Sequence, residues 1–100
     1  MSSLSSLEQV RSSMLVMKPY LMNKYNIESL YIFGSYAREE QTDISDVDIL
    51  VDFNKVPDLL TFIELEEYLS EQLHNKVDLV PKRKLKAQLK NQILKEAIAV

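Results

Sequence analysis

Three aspartates stand where their carboxylates could act together. Asp46 and Asp48 are two residues apart at the start of the apolar segment VDILVDF, and Asp78 lies inside a later apolar segment, VDLV. Alternate residues of a strand point to the same face, roughly 6.6 Å apart, so Asp46 and Asp48 would present two carboxylates to one side. A sheet that paired the two segments would place Asp78 beside Asp48. Carboxylates crowded on one patch repel each other, and two Mg²⁺ ions, which prefer oxygen ligands, would neutralise them.

A glycine–serine pair supplies what the carboxylates lack, a group that can bind phosphate. Gly34, the only glycine of the chain, and Ser35 follow the apolar segment SLYIF. A turn of this kind at the start of a helix offers backbone N–H groups and a hydroxyl to phosphate oxygens. Arg38, one turn further on, is placed to add charge-assisted hydrogen bonds to a triphosphate.

Each of these signals also has a purely structural explanation. A glycine–serine pair after a strand is usually a turn, and an Asp-x-Asp pair is commonly a solvated strand edge. A single aspartate in a strand is commonly a hydrogen-bonded structural residue. Their joint order along the chain, each at an apolar segment, favours the functional interpretation.

Hydrophobic periodicity predicts the first element that would support these residues. A helix begins at Ser5 or Ser6, where capping boxes can satisfy backbone N–H groups. Pro19 should kink or end this helix near Lys18. The apolar face of the helix is Val10, Met14, Met17 and Leu21.

The remaining elements give the fold class. Strands are predicted at 29–33, 47–53 and 77–80, and helices at 57–73 and 85–97, with a short helix after the glycine. The apolar stripe of the 57–73 helix is Leu59, Phe62, Leu65, Leu69 and Leu73. The order α-β-α-β-α-β-α predicts an α/β (α+β) fold with a small mixed β-sheet flanked by helices.

Composition excludes several classes of site. The 100 residues, 46% of them hydrophobic, can close one core, so 1–100 is predicted to be one domain with an N-terminal helical segment, 1–28. The sequence has no cysteine and hence no disulfide, thiolate zinc site or cysteine nucleophile, and His74 alone cannot build a histidine metal cluster. No apolar run approaches the ~20 residues that span a bilayer and no leader pattern is seen, so we expect a cytoplasmic protein without membrane contact.

The net charge of −3 hides an asymmetry. The segment 82–100, predicted to be a basic C-terminal helix of the same domain, has six basic residues against one acid, a net charge of +5. Such a segment is either a helix with a solvated lysine face or a surface for an acidic partner or nucleic acid. It lacks the interleaved aromatic residues that stack on bases, so RNA is not expected as a partner.

The segments YIFGSYAREEQTDISDVDILVDF and KVDLV resemble the minimal nucleotidyltransferase (MNT) family of the DNA polymerase β superfamily. That superfamily has Gly-Ser, an intervening loop, Asp-x-Asp and a later third acid; here ten residues, 36–45, separate Ser35 from Asp46. The resemblance implies a nucleotidyltransferase fold similar to the palm of DNA polymerase β. One departure is Glu39, because relatives commonly have glycine directly after the arginine.

The resemblance also implies roles for the site residues. The two neighbouring aspartates would bridge two Mg²⁺ ions, and the third would hold the ion that activates an acceptor hydroxyl for attack on the α-phosphorus of ATP. The implied catalytic and metal-binding residues are Asp46, Asp48 and Asp78, and the implied nucleotide-binding residues are Gly34, Ser35 and Arg38.

The same resemblance suggests an acceptor and leaves alternatives. Stand-alone MNT proteins resemble the antitoxin of HEPN/MNT toxin–antitoxin pairs, in which AMP is transferred from ATP to a tyrosine of the HEPN ribonuclease. The chain is too short for a separate acceptor-binding domain, so a partner would complete the site. The alternatives are an antitoxin that neutralises its toxin by binding alone, and a nucleotidyltransferase acting on small molecules, similar to aminoglycoside-modifying relatives.

Overall fold

The computed structural model describes residues 6–42 and 44–100. Its elements, in chain order, are α1 (Ser6–Tyr25), β1 (Ile27–Phe33), α2 (Gly34–Ala37), β2 (Val47–Phe53), α3 (Leu59–Leu73), β3 (Val77–Pro81), a 3₁₀ turn (Lys82–Lys84), α4 (Ala87–Glu96) and β4 (Ile98–Ala99). Across these residues, no helix is both long and apolar enough to cross a membrane.

The four strands form one mixed sheet in the order β3-β2-β1-β4. β1 is antiparallel to β2 and β4, whereas β2 and β3 are parallel. This sheet and its flanking helices confirm the predicted fold class. β2 has the predicted bounds, but β1 begins at Ile27, so the predicted helical segment 1–28 extends too far.

The core lies between one face of the sheet and the helices α1 and α3. β2 contributes alternate residues that are all buried, as its sequence pattern predicts. These are Val47, Ile49, Val51 and Phe53. The predicted stripe of α3 reaches the core only from Phe62 onward, because Leu59 is 71% exposed.

The sequence predicts that Pro19 kinks or ends the first helix near Lys18; an end there is wrong, because α1 continues through Pro19 to Tyr25. Met17 before the proline and Leu21 after it are both buried in the same core. A proline inside a helix removes one backbone hydrogen bond, and here burial on both sides of it favours continued helix. Ser5, the other predicted helix start, lies outside the described residues.

The helix predicted at 85–97 is confirmed as α4, but its extension over the whole segment 82–100 is wrong, since a 3₁₀ turn precedes α4 and β4 follows it. Ile98 and Ala99 pair with β1, and the Val100 backbone N–H donates to the Leu30 carbonyl at 3.0 Å. Two residues are too few for a periodic pattern. The formation of β4 therefore depends on pairing with the edge of β1 and not on a local sequence pattern.

Asp58 fixes the start of α3. Its carboxylate Oδ1 accepts a hydrogen bond from the Thr61 backbone N–H at 2.8 Å. The hydrogen bonds from Thr61, first its backbone N–H and then its hydroxyl, lower the pKa of Asp58 from its ordinary 3.8. Such an N-cap satisfies a helix N–H that has no partner within the helix.

We expect Asp58→Ala to lower the melting temperature at pH 7, because the helix loses its cap. Asp58→Asn should retain most of the stability, since asparagine caps helices about as well as aspartate. A carboxyl whose pKa is lowered by folding stabilises the fold above its ordinary pKa, and that contribution disappears as the pH falls through the lowered pKa. Thermal melts from pH 7 to pH 2 should therefore show the alanine deficit shrinking at the acid end. A deficit that does not change with pH would contradict this origin.

Candidate functional site

The sheet register brings two of the predicted aspartates together. Asp48 of β2 is the register partner of Phe33 in antiparallel β1 and of Asp78 in parallel β3. Neighbouring strands lie about 4.8 Å apart, so the two carboxylates share one end of the sheet. The expectation that β3 would place Asp78 beside Asp48 is confirmed.

Gly34 directly follows β1 and touches the central aspartate. Its φ is +72°, in the left-handed region that favours glycine. A Cβ built on Gly34 would overlap Oδ2 of Asp48 and lie 3.0 Å from its Cγ. Glycine is therefore required at this position for two reasons: its backbone conformation and its close approach to the carboxylate. The predicted phosphate turn and the predicted carboxylates are in direct contact.

Asp48 lies in an environment that disfavours its negative charge. Burial, first, and then the charges of Asp78 and Asp46 raise the pKa of Asp48, and the guanidinium of Arg38 partly offsets them. Two like charges near a half-buried carboxylate are an unfavourable arrangement unless a cation joins them. The carboxylate cluster therefore lowers the stability of the fold in the absence of a cation, and a bound cation would stabilise it.

The other two carboxylates are more open. Asp78 is exposed, and Asp46 is half-buried with the Lys76 Nζ 3.9 Å from its Oδ2. Within the described residues, no three acidic or histidine side chains converge into a ready metal cage. Mg²⁺ usually binds through one or two carboxylates and completes its shell with water and substrate phosphates. The carboxylates therefore fit Mg²⁺ that is bound together with a nucleotide.

Arg38 lies at the end of α2 near this cluster, and two acids hold its guanidinium. Its Nε is 3.5 Å from Oε1 of Glu40, and its Nη1 is 3.3 Å from Oε2 of Glu96 in α4. The pairing with Glu96 was not predicted, because nothing in the local sequence relates two residues 58 positions apart.

Asn75 is a second residue that the sequence did not reveal. Its Nδ2 donates to the hydroxyl of Tyr36 at 2.8 Å and to the carbonyl of Ser45 at 3.3 Å. The Val47 backbone N–H donates to the Lys76 carbonyl at 2.9 Å. These bonds tie α2, the residue before Asp-x-Asp and the start of β3 to one another. Asn75 therefore holds the phosphate turn and the carboxylates in register.

Glu39, the departure from the usual glycine, is exposed and has a φ of +55°. Glycine adopts this conformation without steric cost, whereas a residue with a Cβ is strained there. Glu39 thus adopts a backbone conformation typical of glycine, and its side chain is exposed to solvent.

Comparison with known proteins assigns the family. Residues 16–100 match the family described as "Polymerase beta, Nucleotidyltransferase". The chain is 44% identical over 95 residues to protein adenylyltransferase MntA of Thermococcus cleftensis, a match that covers 95% of this chain and 96% of that protein. The chain therefore belongs to the polymerase β nucleotidyltransferase family and is a nucleotidyltransferase.

Two solved structures share the fold. One, described as a candidate minimal nucleotidyltransferase, has 33% sequence identity and a TM-score of 0.81, and the match covers 100% of both chains. The other, described as a tri-AMPylated Shewanella oneidensis HEPN toxin in complex with MNT antitoxin, has 26% identity and a TM-score of 0.65. That match covers 91% of this chain and 70% of the other. The resemblance to the MNT family is confirmed.

We expect Asp48→Asn to raise the melting temperature of the metal-free protein at pH 7, since it removes the charge that Asp46 and Asp78 repel. In a domain of this size about 1 kcal/mol moves the melting temperature by roughly 4–8 °C, so the change is measurable. Asp52→Asn, on the same strand, is the matched control and should not raise it. The difference should shrink as the pH falls toward 3.8, because a carboxyl with a raised pKa is then protonated. A lower melting temperature for Asp48→Asn would instead make Asp48 a structural hydrogen-bond partner.

Proposed function

We propose that this protein is a Mg²⁺-dependent protein adenylyltransferase that transfers AMP from ATP to a tyrosine hydroxyl of a HEPN ribonuclease toxin, and so acts as its antitoxin. The observation that carries the proposal is the contact between the Gly34 backbone and the Asp48 carboxylate, with Asp78 as the next register partner. A phosphate-binding turn against paired carboxylates suits nucleotide chemistry. The name of the Thermococcus relative and the AMPylated toxin bound to its MNT antitoxin support the choice of acceptor.

The nucleotide would bind across the turn between β1 and α2. The Ser35 hydroxyl and the backbone N–H groups after Gly34 would hold the β and γ phosphates. Arg38 would add charge-assisted hydrogen bonds once its guanidinium is released from Glu96. Asp46 and Asp48 would hold Mg²⁺, which would neutralise the phosphates and lower the pKa of the acceptor hydroxyl.

The transfer itself needs no nucleophile from this chain. The tyrosine oxygen forms a bond to the α-phosphorus, the bond from that phosphorus to the bridging oxygen breaks, and pyrophosphate leaves. Asp78, which also binds metal in this scheme, accepts the tyrosine proton. β3 is an edge strand of the sheet and Asp78 is exposed, so a partner protein can bring its hydroxyl to this carboxylate. Positioning and charge neutralisation account for the rate.

A second candidate is an antitoxin that neutralises its toxin by binding alone. The observation in its favour is that Glu40 and Glu96 both pair with the Arg38 guanidinium, so that this group is not free to bind phosphate. Under that alternative the carboxylate cluster would have no catalytic use, and Asp48→Asn would still neutralise the toxin in cells.

Label transfer distinguishes the two candidates. The purified protein is incubated with Mg²⁺, ATP labelled at the α-phosphate, and the HEPN-type protein encoded by the neighbouring gene. We expect label on a partner tyrosine with the wild type and with Asp52→Asn, and a loss of at least about 10²-fold with Asp48→Asn, because charge neutralisation at the phosphates is lost. Complex formation without any label would favour neutralisation by binding.

The contact between Arg38 and Glu96 gives an independent prediction. Glu96→Gln should strengthen Mg²⁺-ATP binding by about 1.4- to 5-fold, since an exposed ion pair of roughly 0.2–1 kcal/mol no longer competes for the guanidinium. Glu64→Gln, which removes an exposed acid paired with Lys24, is the matched control and should leave ATP affinity unchanged. Calorimetric titration measures both. Weaker ATP binding by Glu96→Gln would mean that the pair holds Arg38 in its binding position.

A further inference from the structure

A concave site lies at the opposite end of the sheet from the carboxylates. It is a cavity of about 230 Å³ between the end of β2, the start of α3 and the 3₁₀ turn, with walls that include Phe53, Leu59 and Phe62. Phe53 lies five positions after Asp48 in β2, a distance of roughly 17 Å along an extended strand. A molecule in this cavity would not contact the phosphate turn at Gly34 and Ser35.

Two cations line this largely apolar cavity. Arg83 and Lys84 both line it, whereas Lys82, the first residue of the same 3₁₀ turn, points away, with its Nζ 5.5 Å from the Tyr31 ring centroid. Asp58 also lines the cavity, but its carboxylate is engaged with the Thr61 backbone N–H. Among the described residues, the cavity therefore combines an apolar wall with two cations and one capping carboxylate, a local net charge of +1.

Large apolar side chains extend this site onto the surface. Val56 is 52% exposed, Leu59 71% and Leu60 79%, and all three are adjacent in sequence to the capped start of α3. Single exposed apolar residues are ordinary, but several around one concave site are typical of a binding surface. We call these residues, together with the cavity and its two cations, the α3 docking surface.

We propose that the α3 docking surface binds an acidic segment of the acceptor protein, with one bulky apolar side chain of that segment inserted in the cavity and its carboxylates paired with Arg83 and Lys84. This inference rests on the proposed function for the identity of the partner, the HEPN-type protein. It adds the place at which that protein is held, remote from the atoms that react.

The size and charge of the site favour this occupant over others. A cavity of about 230 Å³ is smaller than the ~300–1,000 Å³ typical of small-molecule sites, and suits a single anchoring side chain. The positive charges select an acidic segment rather than a second copy of the surface, because two copies would face Arg83 with Arg83 or Lys84. Protein interfaces commonly place an apolar anchor in a central pocket and polar or charged groups at the rim around it.

The test compares matched pairs of variants. The charge pair is Arg83→Gln/Lys84→Gln, with Lys90→Gln/Lys95→Gln as the control that removes the same charge from the same basic segment. The apolar variant is Leu59→Asp, with Val16→Asp, an 82% exposed position on α1, as its control. Binding to the purified HEPN-type protein is measured by calorimetry without ATP, and KM and kcat are measured by label transfer.

We expect both docking-surface variants to raise the Kd and KM for the partner about ten-fold, with kcat and the Mg²⁺-ATP affinity unchanged. Both control variants should bind as the wild type does. Equal weakening by test and control charge variants would overturn the proposal, as would unchanged binding of Leu59→Asp with a wild-type melting curve. A wild-type dimer that Leu59→Asp dissociates would assign the surface to self-association instead, and RNA retention that the charge variant abolishes would assign it to nucleic acid.

The two proposals fail separately in this design. Tight binding without label transfer, weakened by the docking-surface variants, would support the docking site and overturn the adenylyltransferase function. Label transfer whose KM is unaffected by those variants would overturn the docking site alone. The absence of both a complex and label transfer between the wild type and the HEPN-type protein would overturn both proposals.

Discussion

The approach of the Gly34 backbone to the Asp48 carboxylate is the constraint on which the rest of the site depends. It needs β1 and β2 to pair in one antiparallel register, so that the end of β1 stands opposite the aspartate. It also needs a left-handed residue without a side chain, since a Cβ would overlap the carboxylate oxygen. A slip of one residue in this register would turn the carboxylate toward the core.

The core keeps this arrangement in spite of its electrostatic cost. Burial and neighbouring carboxylates raise the pKa of Asp48, so the charged cluster destabilises the fold without a cation. The alternating buried residues of β2 fix the strand on its other face, and Asn75 fastens the loop before it to α2. The buried face of the sheet thus stabilises the fold, and this offsets the destabilising carboxylates on the other face, as is common at functional sites.

In the two proposals, the two ends of β2 have different roles. The amino end holds the carboxylates and the phosphate turn, and the carboxyl end leads into the capped start of α3 with its apolar cavity. A partner held at the second end would contact this chain far from the reacting atoms, yet β3 borders both ends. Binding energy from such remote contacts can position a hydroxyl at Asp78 without altering the chemistry there.

Sequence by itself determined the bounds of β2, the approximate positions of β1 and β3, and the spacing of the chemical residues. The bounds of β2 follow from apolar residues at every second position from Val47 to Phe53, and the place of Asp78 beside Asp48, once the two strands pair, follows from two segments that each carry an aspartate among apolar residues. Local patterns could not determine what depends on distant contacts: the course of α1 through Pro19, the short β4, or the pairing of Arg38 with Glu96. Those features exist because residues far apart in the chain share one core or one sheet edge, and the energy of those contacts outweighs local preference.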